Sequence, residues 1–200
     1  MQHFLWHVVG LALLQVPCHA LKILAKDSEE PTLFGPAHSI PLLVSSADGV
    51  EAAVPVNMQL AVTEDEHHHG LMFRSSMDED AGMVFIYPDS QKRVLYMRNT
   101  EIPLDAGWFT PTGDLTQVMH LKPEDETWRW SDRADIKYGL EMNLDWFSRH
   151  NVQPGQTRID MNALRSAVES RGFNLHKLGF DEASDGARPS DSNLLRASGP

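Results

Sequence analysis

Alternating apolar and polar residues mark several short segments of this chain, and the clearest alternation runs from Val54 to Val62. Apolar residues occupy every second position there, which is typical of a strand with one buried face. Other segments of strand length, several of them bounded by Pro, Gly, Asn or Asp, predict six more strands. These are Met83–Tyr87, Arg93–Thr100, Gly107–Thr110, Leu115–Leu121, Lys137–Met142 and Thr157–Ile159.

Turn-forming residues between these segments suggest how the strands pair. A Pro-Asp turn separates Met83–Tyr87 from Arg93–Thr100, and the turn Pro111–Asp114 separates the next two strands. Pro, Asp and Gly favour tight turns because they adopt or stabilise the required backbone angles. We therefore expect the first two strands to be antiparallel partners and the next two to form a hairpin.

Three helices are predicted, two of them from capping residues. Thr63 and Glu66 have the spacing of a capping box, and Gly70 suits the position after a helix, which together predict a short helix over Glu64–His69. The other two predicted helices are Leu144–His150 and a helix that follows the N-cap residue Asp160 and continues to Arg171.

Many short strands separated by turns favour a mainly β fold class. We expect a small antiparallel sandwich or jelly-roll-like barrel with one or two short helices, plus a C-terminal helix. The β-rich domain is assigned to residues 54–160, after an extended segment over 21–53 that contributes one edge strand. The C-terminal helix is assigned to 161–178, and the Ser-, Asp- and Gly-rich tail over 179–200 is expected to be disordered.

The first 20 residues resemble a signal peptide. An apolar run from Phe4 to Val16 precedes Cys18-His19-Ala20, which places small residues at positions −3 and −1 of a cleavage site. We therefore expect a secreted or otherwise extracytoplasmic protein of the secretory pathway, with no membrane span after signal removal. Cys18 is the only cysteine, so the mature chain would lack disulfides, a cysteine nucleophile and thiolate metal ligands.

The formal net charge of −11 makes nucleic acid an unfavourable partner, because an acidic surface repels the phosphate backbone. The sequence also has no Gly-x-Ser-x-Gly elbow, no P-loop and no Rossmann glycine pattern. Familiar hydrolase, nucleotide-binding and dinucleotide-binding functions therefore have no motif to support them. No cofactor is expected.

Five short motifs occur in the order typical of one protein family. They are His69–Arg74 (HGLMFR), Gly82–Phe85 (GMVF), Met97–Asp105 (MRNTEIPLD), Tyr138–Glu141 (YGLE) and Val152–Gly155 (VQPG). Over about residues 54–160 the chain resembles the Domain of Unknown Function 192 family. The resemblance implies a compact, mainly antiparallel β fold of jelly-roll-like type and often an exported protein, but no particular reaction. His69, Arg98, Trp108 and Gln156 depart from the family pattern.

Six polar or charged residues inside these motifs are candidates for ligand binding: Arg74, Arg98, Asn99, Thr100, Asp105 and Glu141. Asp105 and Glu141 have the chemistry of a general acid and base, of cation ligands together with Asn99, or of hydrogen-bonding partners for sugar hydroxyls. The structural alternative is that Asn99 and Asp105 bond to backbone amides around Pro103, and that Glu141 pairs with Arg98 or Arg74.

Two other clusters are given structural interpretations. The adjacent residues His67, His68 and His69 diverge around a helix, so they are not expected to form a metal site. Trp128 and Trp130 would share one face of an extended segment, which suits a stacking surface for a sugar or a partner. The interpretation favoured for the Trp pair is packing against the core, because Trp is highly buried on average.

The sequence as a whole favours a non-enzymatic binding or accessory module for a small polar ligand or a protein partner. The alternative is a hydrolase-like enzyme in which Asp105 and Glu141 act as an acid/base pair. The two hypotheses differ in geometry, because an enzyme needs both carboxylates in one cleft.

Overall fold

The computed structural model of the protein describes residues 33–180, which form eleven strands, three α-helices and one 3₁₀ turn. The predicted signal peptide and most of the predicted tail lie outside the described residues. The strands are β1 (His38–Ser39), β2 (Leu42–Ser45), β3 (Glu51–Val54), β4 (Asn57–Ala61), β5 (Ala81–Gln91), β6 (Val94–Leu95), β7 (Leu104–Phe109), β8 (Leu115–Leu121), β9 (Arg129–Trp130), β10 (Ile136–Asn143) and β11 (Thr157–Ile159). The helices are α1 (Glu64–His69), α2 (Trp146–Arg149) and α3 (Met161–Ser170).

The architecture is sandwich-like and mainly β, as predicted, and its sheets do not close into a barrel. A six-stranded sheet has the order β1-β4-β5-β10-β7-β8, and a three-stranded sheet has the order β11-β2-β3. Every pairing is antiparallel except the one between β4 and β5, which is parallel and departs from the purely antiparallel expectation. The predicted hairpin is present as β7 and β8.

The prediction that Arg93–Thr100 pairs with Met83–Tyr87 is wrong. The antiparallel partner of β5 is β10, and β5 continues through the Pro-Asp pair expected to form a turn. Only Val94–Leu95 is a strand, and it pairs with β9 in a separate two-stranded ribbon. Asn99 has a φ of +53°, a left-handed conformation that cannot continue a strand.

The six-stranded sheet is covered on both faces, because two buried apolar clusters lie on opposite sides of it. The first cluster joins the sheet to β2, β11 and α3, and includes Leu42, Val84, Leu140, Met142 and Ile159. The second lies on the other face and includes Leu71, Phe85, Leu95, Ala106 and Trp108. Alternate residues of one strand therefore face different cores.

Two segments outside the predicted domain contain more structure than expected. Three strands, β1 to β3, lie within 38–54, where one edge strand was predicted. The predicted C-terminal helix is divided, because α3 ends before Gly172, whose φ is +80°, and a short 3₁₀ turn follows at His176–Leu178. Among residues 33–180, no helix is long and apolar enough to cross a membrane.

Candidate functional site

Asp105 and Glu141 lie on opposite faces of the six-stranded sheet. In the pairing of β7 with β10, Asp105 is opposite Met142 and Glu141 is opposite Ala106. Directly opposed residues of an antiparallel pair share a face. Met142 belongs to the first apolar cluster and Ala106 to the second, so the two carboxylates are separated by the sheet. The structure does not bring them together in one cleft.

Glu141 faces a cavity of about 310 Å³ beside the second cluster. The cavity lies between helix α1, strands β5 and β6 and the loop that follows β6. We call it the Glu141 cavity, and its lining residues are Glu64, His67, His68, His69, Gly70, Leu71, Met72, Phe85, Tyr87, Val94, Leu95, Tyr96, Thr100 and Glu141. Its volume lies at the lower end of the range typical of small-molecule sites.

Glu141 is 5% exposed, and within the described residues its side chain has no hydrogen bond and no salt bridge at contact distance. Burial raises the pKa of Glu141 to about 8, and the positive charge of Arg74 only partly opposes this effect. Arg74 donates instead to Gln59 Oε1 at 2.5 Å and stacks on Phe34. Glu141 therefore presents a neutral carboxyl group, able to donate and accept hydrogen bonds, to the cavity at pH values below 8.

Asp105 has a different partner from those considered in the sequence. It is buried, and His120 Nδ1, from the neighbouring strand β8, donates to its Oδ1 at 2.5 Å. Its second oxygen, Oδ2, is buried with no hydrogen-bond partner in the part of the chain that the structure describes. The imidazole of His120 is largely exposed. The pair is a cross-strand contact at the side of the sheet away from the Glu141 cavity.

The remaining candidates divide between the cavity and the surface. Thr100 is buried, lines the cavity, and donates from its hydroxyl to the carbonyl of Arg98 at 3.2 Å. Arg98 is exposed and forms a salt bridge of 3.1 Å with Glu126, not with Glu141. Asn99 is exposed, and its carbonyl accepts a hydrogen bond from the amide of Phe73. Of the six candidates, Thr100 and Glu141 meet in one site.

Sequence patterns predict no functional role for the histidines of α1 or for Tyr87 and Tyr96, although all of these residues line the cavity. His67 bonds through Nε2 to the carbonyl of Ala61 and packs on Tyr87, and burial lowers the pKa of His67. Within the described residues no three His, Cys, Asp or Glu side chains are placed to bind one metal ion. The α1 histidines and the two tyrosines line one cavity because α1 packs on the sheet at this place, and the sequence contains no local signal for that packing.

The expectation that Trp128 and Trp130 pack on the core is wrong. Their exposed fractions are 64% and 45%, and their rings contact each other edge to face at a centroid distance of 5.8 Å. The short ribbon of β6 and β9 packs on the second cluster with the face that carries Leu95. Trp130 is opposite Val94 and so projects from the other face, which is exposed to solvent. The expectation that the two rings share a face agrees with their contact.

Comparisons with known proteins agree with the fold. The model of the Domain of Unknown Function 192 family, DUF192, described as an uncharacterized ACR, matches residues 45–159. A crystal structure of a proposed transcription regulator from Sinorhizobium meliloti 1021 is 25% identical, with a TM-score of 0.56 over 62% of this chain and 95% of that chain. A protein of unknown function from Novosphingobium aromaticivorans DSM 12444 is 27% identical, with a TM-score of 0.54 over 60% and 84%. No curated protein matches the chain.

Proposed function

The chain belongs to the DUF192 family, and we propose that its domain is a binding module that takes a small polar ligand into the Glu141 cavity. The observation that carries this proposal is the carboxyl group of Glu141. It is buried, lines a cavity, and has no hydrogen-bond partner among residues 33–180. The carboxyl group opens onto the cavity, so a ligand with hydrogen-bonding groups could bond to it there.

The rest of the cavity supports binding rather than catalysis. Its wall combines apolar side chains such as Leu71, Phe85 and Leu95 with polar side chains from helix α1 and from Tyr87, Tyr96, Thr100 and Glu141. Several hydrogen-bonding groups in one cavity suit a small polar ligand. The alternative acid/base pair has no geometric support, because Asp105 lies on the other face of the sheet.

A thermal-shift experiment tests this function with neutral sugars, polyols, primary amines and small carboxylic acids as probes. A ligand at a hundred times its dissociation constant adds about 2.7 kcal/mol to stability, which raises the midpoint by several degrees in a domain of this size. We expect at least one probe class to raise the midpoint of the wild-type protein. The ligand-induced shift should be much smaller in Glu141→Gln.

The matched control is Glu51→Gln, which makes the same change in an exposed, ion-paired carboxylate that does not line the cavity. This variant should keep the full ligand-induced shift. An equal shift in the wild type and in Glu141→Gln would contradict the assigned site. No shift with any probe class would contradict the proposed function.

We also propose that the protein acts outside the cytoplasm. The support is the apolar segment Phe4–Val16 with its small-residue cleavage pattern at Cys18 and Ala20. Mass spectrometry of the protein recovered from its native source should show Leu21 as the first residue. Recovery of the chain with Met1 or Gln2 at its amino terminus would contradict the proposal.

A further inference from the structure

The exposed Trp pair adjoins the Glu141 cavity. Strand β6 contributes Val94 and Leu95 to the cavity wall, and β6 pairs with β9, where Trp130 is directly opposite Val94. Opposed residues of an antiparallel pair have their Cβ atoms about 5 Å apart and project from the same face. Trp130 therefore stands beside a residue of the cavity wall, and Trp128 contacts the ring of Trp130.

The charges around the Trp pair are already neutralised. Arg129, between the two Trp residues, bonds to Asp125 at 2.8 Å, and Arg98 pairs with Glu126 at 3.1 Å. Arg133, which follows Trp130, pairs with Asp135 at 2.5 Å. The arginines near the rings are thus engaged with protein carboxylates, which leaves a surface suited to a neutral ligand rather than to a phosphate or a carboxylate.

We infer that the ligand of this site is a carbohydrate of at least two sugar units, with one unit in the Glu141 cavity and the next stacked on the ring of Trp130, beside Trp128. Sugars combine apolar C–H faces, which pack on aromatic rings, with hydroxyl groups that both donate and accept hydrogen bonds. Inside the cavity, the carboxyl group of Glu141 offers the same dual character, and the hydroxyl of Thr100, which donates to Arg98, can still accept a hydrogen bond. This inference rests on the proposed function, and it names the ligand class of the same site.

The Trp128 and Trp130 rings lie outside the cavity, so a ligand that contacts both the cavity and these rings needs more than one sugar unit. Trp128 and Trp130 do not line the cavity, so a single sugar held by Glu141 would leave them uncovered. A second unit, linked to the first, reaches the ribbon of β6 and β9. Affinity should therefore rise with the length of the chain of sugars.

The experiment uses the full chain on a broad glycan array, followed by calorimetric titration with the best-bound glycan and its one-unit and two-unit fragments. We expect the two-unit fragment to bind about tenfold more tightly than the single sugar, the upper range for one aromatic stacking contact. Trp130→Ala should remove most of this increment and leave single-sugar binding unchanged. Glu141→Gln should weaken both fragments.

The control variant is Val50→Ala, because Val50 is an exposed apolar residue next to the three-stranded sheet and away from the cavity. It should bind every glycan as the wild type does. Because both Trp side chains are exposed, their Ala variants are expected to fold, and their circular dichroism and thermal midpoints check this.

The outcomes separate this inference from the proposed function. Binding of amines or small acids that depends on Glu141, with no glycan bound, would overturn the carbohydrate inference and retain the binding module. Glycan binding with no dependence on chain length, or an unchanged increment in Trp130→Ala, would overturn the role of the Trp pair. No binding of any probe or glycan would overturn both proposals.

Discussion

Arg171, the residue after helix α3, donates to Glu66 Oε1 in helix α1 at 2.5 Å, and both side chains are largely buried. The second carboxylate oxygen of Glu66 accepts the amides of Val62 and Thr63, at 2.7 and 2.8 Å. Arg171 also donates to the carbonyl of Leu60 at 2.6 Å. One ion pair thus caps α1 and ties it to the C-terminal part of the domain, which keeps one wall of the Glu141 cavity in place.

Replacing either partner of this pair should be strongly destabilising. Arg171→Ala or Glu66→Ala leaves a buried charge without its counter-ion, and we expect a loss of about 3–5 kcal/mol in the free energy of unfolding. Urea unfolding measures this loss. The control is the exposed pair of Arg158 and Glu51, where Arg158→Ala should cost less than about 1 kcal/mol. Equal losses at the two pairs would contradict the structural role of Glu66.

Lowering the pH should stabilise the folded protein at Glu141, because the buried side chain is then protonated and neutral. Burial raises the pKa of Glu141 from 4.5 to about 8. The folded state therefore holds a proton that the unfolded state has lost between these two pH values. By linkage, stability falls as pH rises from about 4.5 to about 8, by a few kcal/mol in total at roughly 1.4 kcal/mol per unit of pKa shift.

Glu141→Gln tests this pH dependence, because glutamine keeps the shape and cannot ionise. Its advantage in unfolding free energy over the wild type should grow between pH 5 and pH 8 and remain constant above that. Denaturant titrations at several pH values measure the difference. A difference that does not vary with pH would show that Glu141 has an ordinary pKa.

The contact of Asp105 with His120 should be measurable by a double-mutant cycle. His120 is the hydrogen-bond partner that the described residues provide for the buried Asp105 side chain, so His120→Ala should cost about 1–3 kcal/mol. In the Asp105→Ala background the same change should have little effect. A coupling energy near zero would contradict the contact. Neither change should alter ligand binding, because the pair lies away from the cavity.

Gly139 should not accept a side chain while Trp108 is present. The two residues are paired across β10 and β7, and a Cβ atom on Gly139 would lie 2.9 Å from the Trp108 ring. Gly139→Ala should therefore cost about 1–3 kcal/mol through overpacking of the core. Trp108→Leu, which replaces the ring with a smaller aliphatic side chain, should reduce that cost. Equal costs in both backgrounds would show that the Trp108 ring does not cause the effect.

Local sequence signals predicted the elements that depend on neighbouring residues alone. The bounds of β8, β11 and α1 agree with the predicted segments Leu115–Leu121, Thr157–Ile159 and Glu64–His69. The capping box of Thr63 with Glu66 and the N-cap of Asp160 are also present. Alternation and capping involve residues that are close in the chain, so they can be read without knowledge of the fold.

Long-range pairing decided what local signals could not. The antiparallel partner of β5 is β10, about fifty residues away, and the intervening segment around Asn99 forms a loop. The exposure of Trp128 and Trp130 likewise depends on the position of a two-residue strand at the rim of the second cluster. Neither distance along the chain nor composition determines such contacts.

The sequence by itself determined the mainly β fold class, the family resemblance and the candidate carboxylates Asp105 and Glu141. Only the tertiary structure decided that one carboxylate faces a cavity and the other faces His120. The physical reason is register: side chains alternate between the two faces of a strand, so a shift of β7 by one residue against β10 would bring Asp105 to the same face as Glu141. That register is fixed by packing on both sides of the sheet.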